Sequence, residues 1–122
     1  MPRDPRAYLA DVIAACDAIL DATQGLGFED YRASRLVRSS VEREFMIIGE
    51  AVGALLPILP ELEAAIPQPR RIVAFRHRLA HEYAFIDDEL VWVVVERQVT
   101  PLREACVVLL ARVEDERSDT GQ

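Results

Sequence analysis

Apolar residues recur every three or four positions along most of this chain, the spacing that places them on one face of an α-helix. The first such stretch follows Asp4 and Pro5, an N-cap residue and a proline suited to the first helical position, and runs to about Thr23. Further stretches follow at about residues 34–56, at about 70–82 and from 88 onward. The pattern therefore predicts four long helices.

The segments between these helices carry turn signals. Residues 28–32 are interpreted as a connection, and residues 61–66 as one short helical turn between prolines. The apolar run at residues 90–95 is rich in β-branched residues, which favours a strand. An isolated strand would have no partner in an otherwise helical chain, so we expect the last helix to begin at Asp88.

Four helices with short connections predict an all-α antiparallel four-helix bundle, formed by one domain over residues 1–122. Pro101 removes a backbone donor and is expected to kink the last helix. The polar residues 117–122 are expected to form a disordered tail. Gly49 and Gly53 are four residues apart on one helix face, which predicts the close approach of another helix there.

The second and fourth helices are apolar on more than one side, which is more apolar surface than a small bundle can bury. A homodimer with a two-fold axis near the third helix would cover it. We therefore expect this chain to pair with a second copy of itself.

The composition is that of an ordinary globular domain, with 51% apolar and 29% charged residues. The net charge of −7 argues against a general nucleic-acid binder. The charge is unevenly distributed, however. Residues 32–81 carry a net +3, from eight arginines and five acids, whereas residues 1–31 and 82–122 are both acidic. A basic middle therefore lies between acidic ends.

Cys16 and Cys106 lie at apolar helical positions and are interpreted as free thiols packed in the core. Neither a disulfide framework nor a zinc site is indicated. There is no signal peptide and no apolar run long enough to span a membrane, so a cytoplasmic location is expected.

The chemistry is concentrated in residues 76–83, Arg-His-Arg-Leu-Ala-His-Glu-Tyr, which hold both histidines of the protein. Imidazole exchanges protons near neutral pH, and guanidinium binds phosphate oxygens. At about 100° per residue, His77 and His81 lie about 40° apart around a helix, whereas Arg76 and His81 lie about 140° apart. Either the helix loosens before His81, or groups from a second chain complete the site.

The spacing Arg-x4-His-x-Tyr, formed by Arg76, His81 and Tyr83, resembles the signature of HEPN ribonucleases and, more narrowly, of the HepT-like toxins. Two other stretches are similar to that family, REFMIIGEA at residues 43–51 and DELVW at residues 88–92. The resemblance covers nearly the whole chain. It departs from the family pattern at one position of the motif, where His77 stands in place of the more usual Asn or Asp.

The resemblance implies a metal-independent and cofactor-free RNA endonuclease that acts as the toxin of a type VII-like toxin–antitoxin pair. It implies a homodimer with a composite cleft, and a minimal nucleotidyltransferase antitoxin that attaches AMP to the motif tyrosine. The implied roles are catalysis by Arg76 and His81, substrate binding or orientation by His77, Arg78 and Glu50, and modification at Tyr83.

Other interpretations of these residues stay open at this point. Glu50 could be an ion-paired helix residue, Arg78 a solvated cation and Tyr83 a packing residue. His77 and His81 also have the spacing of two metal ligands on a helix, which a carboxylate such as Glu50 would have to complete. Alternatively, the bundle could be a non-catalytic, nucleotide-binding partner of a nucleotidyltransferase.

Overall fold

The structure is a computed structural model that describes residues 3–120, and for Tyr83, Asp119 and Thr120 the backbone alone. The described chain is helical and contains no β-strand, which confirms the all-α prediction, including a helix over residues 90–95. A 3₁₀ turn, Tyr83–Phe85, precedes the last helix. The α-helices are α1 (Pro5–Thr23), α2 (Phe28–Ala33), α3 (Arg35–Leu55), α4 (Leu62–Ala65), α5 (Pro69–His81) and α6 (Asp88–Thr120).

Three of the helices begin at a side chain that accepts a hydrogen bond from the first turn, as N-cap residues do. The predicted start of α1 is confirmed, because the carboxylate of Asp4 accepts from the backbone N–H of Arg6 at 2.9 Å. The side chains of Ser34 and Asp87 act in the same way on α3 and α6. Short polar residues therefore fix the helix boundaries.

The prediction that residues 28–32 form a connection is wrong, because they belong to α2. The carboxylate of Asp30 accepts a hydrogen bond from the backbone N–H of Gly27 at 2.9 Å and stabilises the first turn. Tyr31 is fully buried and packs against Trp92 of α6, with the ring centroids 5.3 Å apart. The contact of Tyr31 with Trp92 and the cap at Gly27 together stabilise a helix of only six residues.

The core lies where α1 packs between α3 and α6, and α5 packs mainly against α3. Cys16 and Cys106 are both buried free thiols, which confirms their predicted place in the core. Burial raises the pKa of the Cys16 thiol to about 12 and that of Cys106 to about 11. Both thiols therefore stay protonated at neutral pH and behave as small apolar residues.

The last helix, α6, continues through Pro101 and on to Thr120. The helix thus includes part of the segment expected to be a disordered tail, and Gly121 and Gln122 lie outside the described residues. The kink at Pro101 and the disorder of the tail stay predictions. Across residues 3–120, no helix is both long and apolar enough to cross a membrane.

Candidate active site

The helix α5 carries the charged motif and is regular to its end. Pro69 occupies its first turn, where the missing backbone N–H costs nothing. At the other end, the backbone N–H of Glu82 donates to the carbonyl oxygen of Arg78 at 2.8 Å. Arg76 and His81 therefore lie in one continuous helix. The backbone therefore excludes the first alternative, a helix that loosens before His81.

Arg76 faces α3 at a close approach of the two helices. A Cβ atom placed on Gly49 would overlap the Cβ of Arg76 and lie 2.8 Å from its Cγ. The same atom would lie 3.2 Å from the carbonyl oxygen of Ile72, so the backbone of α5 is also close. The close approach predicted from the glycine pair is thus confirmed. Gly49 has no side chain at the position where the motif arginine crosses α3.

The guanidinium of Arg76 is consequently held in a partly buried position. Its Nε atom is buried and has no hydrogen-bond acceptor among the atoms of residues 3–120. A buried donor without an acceptor is costly, and an anionic oxygen is the acceptor that satisfies guanidinium best. An anion would satisfy this donor if the Arg76 side chain turned out of its contact with α3.

His77 and His81 lie on the opposite, outer side of α5, where both side chains are exposed. Their ring centroids are 4.3 Å apart and the ring planes are inclined at 49°. The two imidazoles thus contact each other, as the spacing of four residues predicted. Arg76, by contrast, faces inward, so one copy of the chain does not bring its guanidinium and the His81 imidazole onto one surface.

The other predicted site residues lie around this helix. Arg78 and Glu50 are exposed, and no hydrogen bond or ion pair links either of them to Arg76, His77 or His81 within the described residues. Tyr83 begins the 3₁₀ turn that follows α5 after one residue, Glu82, and its side chain lies outside the described part of the structure. The orienting role of Glu50 and the modification of Tyr83 stay predictions.

The possibility of a metal site can be examined from the side chains present. Among the described residues, no group of three or more His, Cys, Asp or Glu side chains could hold a metal ion. Among the described residues of one chain, His77 and His81 therefore have no third protein ligand beside them. A carboxylate such as Glu50 does not complete a shell around them.

Sequence reasoning missed one feature near the motif, an open groove between α5 and α6. The apolar surplus of the last helix predicts a homodimer interface and does not by itself predict a groove. The signal in the sequence was the surplus of apolar residues on α6, of which Leu90 and Val93 are 37% and 40% exposed. This surplus indicated apolar surface that the bundle leaves uncovered.

Comparison with known proteins places the chain among ribonucleases. The family model described as "Ribonuclease HepT-like" matches residues 12–109. A candidate RNase of Caldanaerobacter subterraneus subsp. tengcongensis is 26% identical over 110 residues, which cover 90% of this chain and 97% of that protein. A protein of Thermococcus cleftensis named "Probable ribonuclease HepT" is 29% identical over 103 residues, covering 84% and 93%. No solved structure gives a significant match.

Proposed function

Because this chain belongs to the HepT-like ribonuclease family, we propose that it is an RNA endonuclease in which Arg76 and His81 catalyse cleavage without a metal ion. The observation that carries this proposal is the position of Arg76. Its guanidinium is packed against Gly49, with a buried Nε donor that has no acceptor among the described atoms. A phosphate oxygen of RNA would supply that acceptor once the Arg76 side chain turns out of its contact with α3.

The proposed reaction is attack by a ribose 2′-hydroxyl on the adjacent phosphorus. His81 accepts the proton of the 2′-hydroxyl as the new bond to phosphorus forms. The bond from phosphorus to the 5′-oxygen breaks, and that oxygen takes up a proton from water. Arg76 stabilises the negative charge that develops on the phosphoryl oxygens in the transition state. The products are a 2′,3′-cyclic phosphate and a 5′-hydroxyl.

The arrangement of α5 supports a site composed of two chains. Arg76 faces α3, whereas His81 is exposed on the outer side of a helix that stays regular between them. In a two-fold dimer with its axis near α5, His81 of one protomer can meet Arg76 of the other. Such a pairing would also bury the exposed His77 and His81 rings near a second copy of the basic helix.

The test of this function is cleavage of a defined RNA by the purified protein. We expect cleavage in EDTA, with 2′,3′-cyclic phosphate and 5′-hydroxyl ends identified by mass spectrometry. A single 2′-deoxy substitution at a cut site should abolish cleavage there and leave other sites unchanged, because only the nucleophile is removed. Cleavage of the 2′-deoxy position at the normal rate would refute the proposed mechanism.

We further propose that the nuclease is the toxin of a toxin–antitoxin pair and is neutralised by a cognate minimal nucleotidyltransferase that transfers AMP to Tyr83. The backbone of Tyr83 lies two residues after the end of α5, a helix that carries arginines at 70, 71, 76 and 78. An anionic group attached there would repel an RNA phosphate and compete with it for these cations. Modification would then block the substrate both by its volume and by its charge.

The prediction for this regulation is that Tyr83→Phe folds and stays active, yet escapes the nucleotidyltransferase supplied with ATP, because only the acceptor oxygen is lost. Wild-type protein should gain one AMP in the peptide that contains Tyr83, as measured by mass spectrometry. Tyr8→Phe is the matched control and should be neutralised like wild type. Added mass on another peptide, or neutralisation of Tyr83→Phe, would contradict the role of Tyr83.

A further inference from the structure

The groove between α5 and α6 has a volume of about 440 Å³, within the range of ligand-binding clefts, roughly 300–1,000 Å³. Its floor is formed by α3, where Phe45 packs edge-on against Phe75 of α5, with centroids 5.3 Å apart. The α6 wall is apolar except for Gln98 and includes the partly exposed Leu90 and Val93. Phe45 is buried and Phe75 is partly exposed, so the groove offers an apolar surface with one accessible aromatic ring.

Few polar side chains line the groove, and the charged ones among them are all positive. Arg71 and Arg78 line it from α5, seven residues apart, so they lie on one face about 10 Å from each other. No acidic residue lines the groove, and neither arginine pairs with a carboxylate in the part of the chain that the structure describes. In a protein with a net charge of −7, this lining selects an anionic ligand.

The groove is also continuous with the motif helix surface. Arg78 and His81 are three residues apart, which places them about 60° from each other around α5. Arg78 is thus shared between the groove and the side of the helix that carries His81. An RNA strand bound at His81 would therefore pass Arg78 before it reaches the groove.

We infer that this groove binds the base of a nucleotide next to the cleaved phosphodiester, with Arg78 and Arg71 contacting the flanking phosphates. The inference rests on the proposed function. Single-stranded RNA is recognised through unstacked bases that contact aromatic side chains and hydrogen-bond to polar groups. The two glutamines of the groove, Gln68 and Gln98, offer amide donors and acceptors to a base edge. The apolar face of a protein helix would offer these amides no such partner.

The test is a substitution that fills the groove and leaves the motif residues 76–83 unchanged. Ala74 lines the groove and is exposed, so Ala74→Leu adds volume there with little effect on folding. Ala10→Leu makes the same change at an exposed position of α1 and is the matched control. Two measurements are made on both variants. The first is the base preference beside the cut sites in a random-sequence RNA pool, and the second is binding of a non-cleavable 2′-O-methyl RNA by fluorescence anisotropy.

We expect wild type and Ala10→Leu to show a base preference beside the cut, and Ala74→Leu to lose it. Binding of the 2′-O-methyl RNA should weaken roughly 5- to 150-fold in Ala74→Leu, the range measured for loss of one stacked base. Gln98→Leu should relax the preference with a smaller loss of binding. Unchanged preference and binding in Ala74→Leu would overturn the inference.

The two measurements also separate this inference from the proposed function. If the protein binds the 2′-O-methyl RNA through the groove but cleaves no RNA, the proposed function fails and the base site stands. If Ala74→Leu cleaves and binds RNA as wild type does but is no longer neutralised by the nucleotidyltransferase, the groove is a protein-docking surface. That last result would overturn the base site and leave the nuclease proposal intact.

Discussion

His81→Ala and Arg76→Ala each lower kcat/KM for RNA cleavage by roughly 100-fold or more, the largest effect we expect from any side-chain truncation in this protein. In the proposed mechanism, His81→Ala removes the group that accepts the proton of the 2′-hydroxyl. Arg76→Ala removes the charge that would stabilise the phosphoryl oxygens of the transition state. Single-turnover cleavage of a fluorescent RNA in EDTA measures both losses.

The two variants need different controls because the two side chains differ in burial. His81 is exposed, so its truncation should change the free energy of unfolding in urea by no more than about 0.5 kcal/mol. Arg76 is partly buried, so Arg76→Lys is the better test of its chemistry. It keeps the charge and most of the stem but loses the planar fork that binds two phosphate oxygens. Near-normal cleavage by a folded His81→Ala variant would contradict a catalytic role for this histidine.

Gly49→Ala is expected to lower kcat about 100-fold, although it adds only one methyl group. The new Cβ would overlap the Cβ of Arg76 and approach the backbone oxygen of Ile72, so α5 must move away from α3. A displacement of about 1 Å of a catalytic group can cost about 100-fold in rate. Because RNA still meets the other cations of α5, KM should change much less than kcat. Steady-state kinetics with the defined RNA separate the two constants.

Gly53→Ala is the matched control for this variant. Its Cβ would lie 3.7 Å from the nearest atom of Val73, an ordinary contact, so α5 need not move. Replacing glycine by alanine in a helix interior should stabilise this variant by roughly 1 kcal/mol, with activity unchanged. If Gly49→Ala cleaves RNA as well as Gly53→Ala does, Gly49 does not position Arg76.

The sequence predicted the helices well because apolar periodicity and short polar caps are local signals. The apolar run at 90–95 was correctly assigned to a helix because the rest of the chain offers no strand partner. The helix α2 was missed because its cap is a glycine, Gly27, stabilised by the side chain of Asp30, and because its anchor is the tertiary contact of Tyr31 with Trp92. Tertiary contacts of this kind leave little trace in a local pattern.

The candidate site could be predicted only in part for a similar reason. The residues of the motif are adjacent in the sequence, and helical geometry alone places His77 beside His81 and turns Arg76 away from both. The four-residue spacing of Gly49 and Gly53 predicted that a helix approaches. That Arg76 is the residue in contact with Gly49 depends on how α3 and α5 cross. The groove between α5 and α6 is a gap in packing, and no local sequence pattern specifies a gap.

Subunit mixing tests most directly whether Arg76 of one protomer and His81 of another form one ribonuclease site, as we propose. Arg76→Ala and His81→Ala are mixed in equal amounts, allowed to exchange subunits, and assayed for RNA cleavage in EDTA. About half of the dimers would then be mixed, each with one intact composite site out of two, so the mixture should recover about a quarter of wild-type activity. A mixture that stays as inactive as each variant alone would contradict the claim.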